Sequence, residues 1–452
     1  MEQKQHVMGR KPVLQLLVSM SIPVVLSMFI QALYNIVDSI WVAKLGTDAI
    51  TAVSLAFPLQ NIVMSVGVGM GIGIGSVISM SLGARNRQEA NRAASIGVAL
   101  VLLHCVIFAV GGLAITKPFL RMFTNDPVIY QWACDYTYVV LCISFGELLQ
   151  MCLEKIFQGL GKMKTTMVMM ASGCIINIIL DPILIFGWFG FPAMGVKGAA
   201  IATVIGQIGA FVMYLVVCAR GDIGVTIHPR YMKPDKEMVG RIYSIGIPSS
   251  LMLAMPSLLV ALLNGILAQL DKAYVAVFGL YFKLQTFVNM PSNGVVQGMR
   301  PIISFNYGAG NQKRVNQAVG YAMKIVAGIM LVGTIAAVGM PEWILRAFDA
   351  DEKVLSYGIT AFRIIGLGFL FSTVGIVSAG VFEALGKGKE SLWISLVRQF
   401  VIILPLGWLL SRFMGAEGIW ISFPVAEALA AVMSVILLRK EGISLKKTYR
   451  EK

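Results

Sequence analysis

Apolar runs longer than the ~20 residues a helix needs to cross a bilayer recur along this chain from Val13 onward. Few architectures survive that constraint. An unpaired backbone group in hydrocarbon costs several kcal/mol, so each crossing must be a helix or part of a closed barrel. The runs are rich in Leu, Ile, Val and Met and lack the alternation of barrel strands. Composition agrees, with 57% hydrophobic and 13% charged residues and a mean hydropathy of +0.78. The chain reads as an all-α integral membrane protein. Twelve transmembrane helices are expected, at roughly 13–41, 50–80, 91–116, 128–157, 164–188, 195–219, 240–268, 273–305, 315–341, 352–384, 389–412 and 417–438.

The chain also repeats itself at an offset of 225 residues. Residues 78–93, ISMSLGARNRQEANRA, match 303–318, ISFNYGAGNQKRVNQA, at seven of sixteen positions. At the same spacing LRMFTND from Leu120 faces LRAFDAD from Leu345, and FQGLGKMK from Phe157 faces FEALGKGK from Phe382. A unit this long is no soluble solenoid repeat. Six spans per copy put both copies into the bilayer from the same side, which predicts two six-helix bundles related by a pseudo-two-fold axis along the membrane normal. The expected organisation is an amino-terminal lobe 1–219, a polar linker 220–239, a carboxy-terminal lobe 240–438 and a basic tail 439–452.

Lys and Arg set the orientation. With a cytoplasmic amino terminus, 24 of the 37 basic residues fall in inside segments and 8 in outside ones, so both termini are predicted to be cytoplasmic. The net charge of +14 then reflects loops held against anionic lipid, not a nucleic-acid surface. The basic start followed by a long apolar run without a small-residue cleavage pattern reads as the first span, not as a cleaved signal.

Several motifs carry no chemistry here. GVGMGIGIGS from Gly67 follows no strand and lacks the Lys-Ser/Thr of a phosphate loop, so it reads as close helix packing. Cys105, Cys134, Cys142, Cys152, Cys174 and Cys218 have no paired spacing and read as packing residues. His104, on an apolar stretch, reads as a satisfied structural histidine. No cofactor and no catalytic constellation is expected, which argues against an enzyme.

The intramembrane acids are the informative groups, since a carboxylate there costs ~3 kcal/mol or more unless it binds an ion, moves a proton or pairs with a base. Asp38 lies in the first span and Asp181 in the fifth. Asn177 precedes Asp181 by four residues and shares its helix face. Pro182 cannot donate to the carbonyl of Ile178, which leaves another oxygen at that level. Thr203 of the sixth span falls roughly 12 Å below that span's outer end, and Asp181 roughly 10 Å below its own, so their depths agree. Oxygen ligands at one height suit a hard cation, Na⁺ or a proton in its place. Gln31, Tyr34 and Asn35 share the first span with Asp38 and are candidate cavity residues. Glu147, Glu154, Lys283, Arg363, Glu383, Arg398 and Glu427 also fall in spans; structural pairing is the favoured reading for those of the second copy.

The stretches YNIVDSIWVAKLG, NIILDPILIFG, GVKGAAIAT, SLGARN and NYGAGN together resemble the multidrug and toxic compound extrusion (MATE) family over essentially the whole chain. The resemblance implies a twelve-helix, two-lobed exporter in the cell membrane that exchanges H⁺ or Na⁺ for small organic, often cationic, drug-like compounds, and that works as a monomer among lipids. It places a cation site on Asp38, Asn177, Asp181 and Thr203, with a backbone contact from Ala199, and a first-span hinge at Pro23. The seventh- and tenth-span carboxylates used by another branch of the family are missing from IPSSLMLAMPSLL and GFLFSTVGIVSAG. A lipid-linked oligosaccharide flippase of related architecture is the competing expectation, though it calls for a basic cavity.

Overall fold

The computed structural model describes residues 7–221, 223–233 and 235–443. Two residues of the predicted linker and residues 444–452 of the predicted tail lie outside them, as do residues 1–6. Among the described residues the chain is all helix and turn, without a strand.

Each predicted span is helical. Among the described residues, nine pass on length and hydropathy alone: Val13–Ala43, Thr47–Gly83, Arg87–Arg121, Met163–Phe186, Gly195–Arg220, Lys236–Leu270, Gln312–Gly339, Gly388–Met414 and Ala416–Lys440. The tenth span is a pair, Glu352–Gly366 and Gly368–Ala384, bent by 48°. The fourth span, Pro127–Cys142 and Phe145–Gly159, is broken at the matching place. It and the eighth span, Lys272–Gly308, are interrupted by polar residues along their length. They are as helical as the rest, because the backbone must satisfy itself whatever the side chains do.

The 225-residue repeat extends to individual hydrogen bonds. Asn86 caps the third span by accepting from the Glu89 amide at 3.0 Å, and Asn311 caps the ninth by accepting from Arg314 at 3.2 Å. Asp126 and Asp351 cap the first pieces of the two broken spans in the same way, satisfying amides that a helix start leaves open. Ser79 Oγ donates to the carbonyl of Gly159 at 2.5 Å, and Ser304 Oγ to that of Ala384 at 2.7 Å.

The chain forms two compact units that do not follow the repeat boundary. One, the amino unit, is Leu26–Ser250; the other, the carboxy unit, runs through Val25 and resumes at Leu251. The leading piece of each repeat's first helix therefore belongs with the other repeat's helices. The exchange points are themselves 225 residues apart, two residues after Pro23 and Pro248. Glycines permit it. A Cβ on Gly73 would lie 2.5 Å from the carbonyl oxygen of Ile242, and one on its counterpart Gly298 would lie 2.9 Å from the amide nitrogen of Ser21. The start of the third span is ion-paired within the amino unit, Glu89 to Arg241 and Arg92 to Asp235, the latter at 2.7 Å. In the carboxy unit Arg314 donates instead to the carbonyls of Met8 and Lys11, at 3.0 and 2.7 Å.

The amino unit's largest core gathers Ile74, Ile78, Ile156, Phe157 and Tyr214. The carboxy unit buries a group of aromatic rings, with Phe278 against Tyr281, Trp420 and Phe423, and Tyr281 against Phe423.

Candidate functional site

The fifth and sixth spans pack with little between them. A Cβ on Gly206 would lie 2.8 Å from the carbonyl oxygen of Gly173, so no larger side chain fits there without displacement. That closeness lets polar groups on the two helices meet. Asn177, one turn above Gly173, donates from Nδ2 to Asp181 Oδ1 at 3.3 Å and to Thr203 Oγ1 at 3.4 Å. All three side chains are buried, Asp181 completely. The helix ends soon after at Phe186, where left-handed Gly187 donates to the carbonyl of Ile183 at 3.0 Å.

The first span supplies the remaining groups. Asp38 and Asp181 bring their carboxyls within hydrogen-bonding reach of one another, and Tyr34, one turn before Asp38, lies close to Thr203. Two carboxylates in contact repel unless a proton or a cation lies between them. Oδ1 of Asp38, Oδ1 of Asn177 and Oδ2 of Asp181 are buried and accept no hydrogen bond from the protein. These oxygens suit a hard monovalent cation or a shared proton. Four of the five residues assigned to the cation site thus lie together, and Ala199 is buried one turn before Thr203 on the same helix. Pro23 lies inside the continuous helix Val13–Ala43, beside the exchange point.

The cluster opens onto a cavity of about 350 Å³ within the amino unit. Gln31, Tyr34 and Asn35 all line it, as expected from their place on the first span. So do Gln60, Tyr136, Glu147 and Glu154, which sequence reasoning left without a role. Gln60 and Tyr136 lie side by side there. Their periodicity could have placed them on inward faces, but only the packing shows that those faces share one cavity. Glu154 is tied to its neighbours: Lys155 Nζ lies 3.1 Å from its Oε1 and Gln158 Nε2 lies 2.8 Å away.

His104 Nε2 meets the hydroxyl of Tyr243 at 3.3 Å, and all six cysteines are free thiols. In the glycine run, Gly71 and Gly75 abut Lys155 of the fourth span. In the carboxy unit Arg398 Nε bonds Glu427 Oε1 at 2.8 Å, Arg300 pairs with Glu383 at 2.5 Å, and Lys283 stands 5.7 Å from the ring centre of Phe348. Arg363 is exposed. Arg398 lies on a turn of π-helix, Val397–Val401, so the eleventh span is locally widened where the fifth is regular.

Two fused copies of a six-helix unit, one of them holding a buried acidic cluster beside a cavity, define a secondary transporter. The chain belongs to the MatE family, whose profile matches residues 23–183 and 248–409, the two repeats. It is 27% identical over 460 residues to the multidrug export protein MepA of Staphylococcus aureus strain MSSA476, covering 97% of each chain. It is 25% identical over 419 residues to MepA of Staphylococcus haemolyticus, covering 92% of this chain and 91% of that one. Among solved structures, the outward-facing conformation of a multidrug resistance MATE family transporter of the MOP superfamily superposes with a TM-score of 0.90 at 26% identity, covering 99% of both chains. Structural neighbours of this family have the twelve-helix, two-bundle fold.

Proposed function

We propose that this protein is a cation-coupled antiporter that exports small organic, often cationic, drug-like compounds from the cell by alternating access. The observation that carries this reading is the contact between Asp38 and Asp181 at the edge of a cavity lined by Tyr34, Phe57 and Tyr136. In it, H⁺ or Na⁺ binds at Asp38, Asn177, Asp181 and Thr203, with Ala199 offering its carbonyl, and no other cofactor is needed. Gln31, Tyr34 and Asn35 contact the drug.

Coupling requires that the ion bind the two conformations unequally, since a ligand that binds both alike shifts nothing. The first span is the element able to provide this. It carries both Asp38 and the cavity residues, so ion binding between Asp38 and Asp181 moves the same helix that touches the drug. Pro23 gives that helix a place to bend, because its missing N–H frees the carbonyl of Ser19. The working unit is a monomer in the cytoplasmic membrane with both termini inside, as its basic loops require.

Reconstituted protein tests this directly. In proteoliposomes loaded with a fluorescent cation, a Na⁺ gradient or a pH gradient imposed alone is expected to drive efflux, and the gradient that does so identifies the ion. Efflux that ignores both gradients would sink the antiport reading, and transport of a lipid-linked oligosaccharide in their place would favour a flippase.

A further inference from the structure

The break in the fourth span creates a helix start within the transmembrane region, at Phe145. Ser144-Phe-Gly-Glu147 has the spacing of a capping box, in which the serine and glutamate would satisfy each other's backbone amides. Neither side chain does so: Ser144 makes no capping bond, and Glu147 has no hydrogen-bond or ion-pair partner among the described residues. Glu147 is only 5% exposed, and what surface it keeps lines the cavity.

A buried carboxylate without a partner is costly and persists where something else meets it. Its position in the first turn of Phe145–Gly159 supplies part of the stabilisation, because unpaired amides give a helix start a partial positive charge. Glu154, two turns further on, faces the same cavity but is already neutralised by Lys155 and hydrogen-bonded by Gln158. No Lys or Arg lines the cavity among the described residues. The equivalent break in the tenth span has Ser372 where the fourth has Glu147, and Ser372 simply bonds the carbonyl of Phe369 at 2.7 Å. The break therefore does not itself demand an acid.

We infer that Glu147 is the charge-selecting residue of the cavity, binding the positive centre of a lipophilic organic cation whose apolar parts lie on Phe57, Tyr136 and the methionines Met64, Met151 and Met170. The role is separate from that of Asp38 and Asp181, which hold the coupling ion. The inference rests on the export reading above and adds to it the residue that makes the cargo cationic.

Tetraphenylphosphonium and tetraphenylborate have nearly the same shape and opposite charge. Binding of each to full-length protein in detergent, read by displacement of ethidium fluorescence, separates charge recognition from fit. Wild type is expected to prefer the phosphonium. E147Q should weaken phosphonium binding by about tenfold or more, leave borate binding unchanged or tighter, and narrow the selectivity accordingly; E147D should restore part of it. Unchanged phosphonium affinity in E147Q would overturn the inference, as would an equal fall for both ions, which marks a structural residue. If wild type binds phosphonium but E147Q matches it, the export reading stands and this assignment fails. If wild type neither binds phosphonium nor exports ethidium under any imposed gradient, both fail.

Discussion

Asn177 Nδ2 lies 3.3 Å from Asp181 Oδ1 on its own helix, and the same nitrogen reaches across to the sixth span. The amide thereby fixes one carboxylate oxygen and leaves the other, Oδ2, buried without a hydrogen bond. Its loss should loosen the ion site without emptying it. A hydrogen bond to a charged group contributes about 1.5–3 kcal/mol, so Asn177→Ala should raise the ion concentration needed for half-maximal drug efflux by about tenfold to a hundredfold. Asp181→Asn should abolish coupled export in a protein that still folds. Full drug resistance in cells carrying Asp181→Asn would remove this residue from the ion path.

Asp38 and Asp181 act as one unit if they share the ion. The double variant Asp38→Asn/Asp181→Asn should then be no worse in gradient-driven efflux than the worse single variant, because groups in direct contact do not add. Losses that multiply would mean two independent sites.

The carboxy unit's buried pair makes a stability prediction. Arg398→Met alone strands the Glu427 carboxylate and should lower unfolding stability by about 3–5 kcal/mol, whereas Arg398→Met with Glu427→Leu should recover most of it. Thermal unfolding in detergent distinguishes the two, and a double variant as weak as the single would show that the pair is needed for more than charge balance.

Gly73 and Gly298 occupy the same place in the two repeats, each against the helix piece contributed by the other repeat. Gly73→Val and Gly298→Val should each destabilise by about 1–3 kcal/mol through overpacking, and to a similar degree. A large difference in thermal midpoint between them would show that the two contacts are not equivalent.

Outside the spans, Asp271 caps the eighth helix and pairs with Lys353 at 2.5 Å, which holds its carboxyl below the usual value of 3.8. A depressed carboxyl stabilises the fold above its ordinary value and loses that contribution as pH falls through the depressed one. The melting temperature of D271N should lie below that of wild type at neutral pH, and the gap should close as the pH falls below the usual carboxylate value and through the depressed one. A gap that persists there would assign the effect to capping alone.

The polar cluster proposed to hold the ion was legible because it obeys arithmetic. Asn177 and Asp181 are one helical turn apart, and Thr203 matches their depth, so span ends and rise per residue bring them together. Gln31, Tyr34 and Asn35 followed from sharing a helix with Asp38. Glu147 was different: its meaning depends on a helix break that no proline marks, and on a capping box that is written in the sequence but not made. The pairing of Arg398 with Glu427 was readable as a tendency of buried charges, but the π-turn that carries Arg398 was not. The exchange at Val25 and Ser250 was hidden for another reason. Sequence similarity shows where a copy begins, whereas packing decides which helices each part of that copy touches.

That exchange has a consequence for how the chain can be divided. A protease cutting once in the linker 220–239 separates the repeats in sequence, yet each fragment then lacks a helix piece that its compact unit requires and carries one that belongs to the other. Each fragment holds a helix piece of the other's unit, and a single nick should release neither. Two separately synthesised halves would have to find each other before either could finish folding; the covalent tether makes that meeting a first-order event, independent of how dilute the protein is in its bilayer.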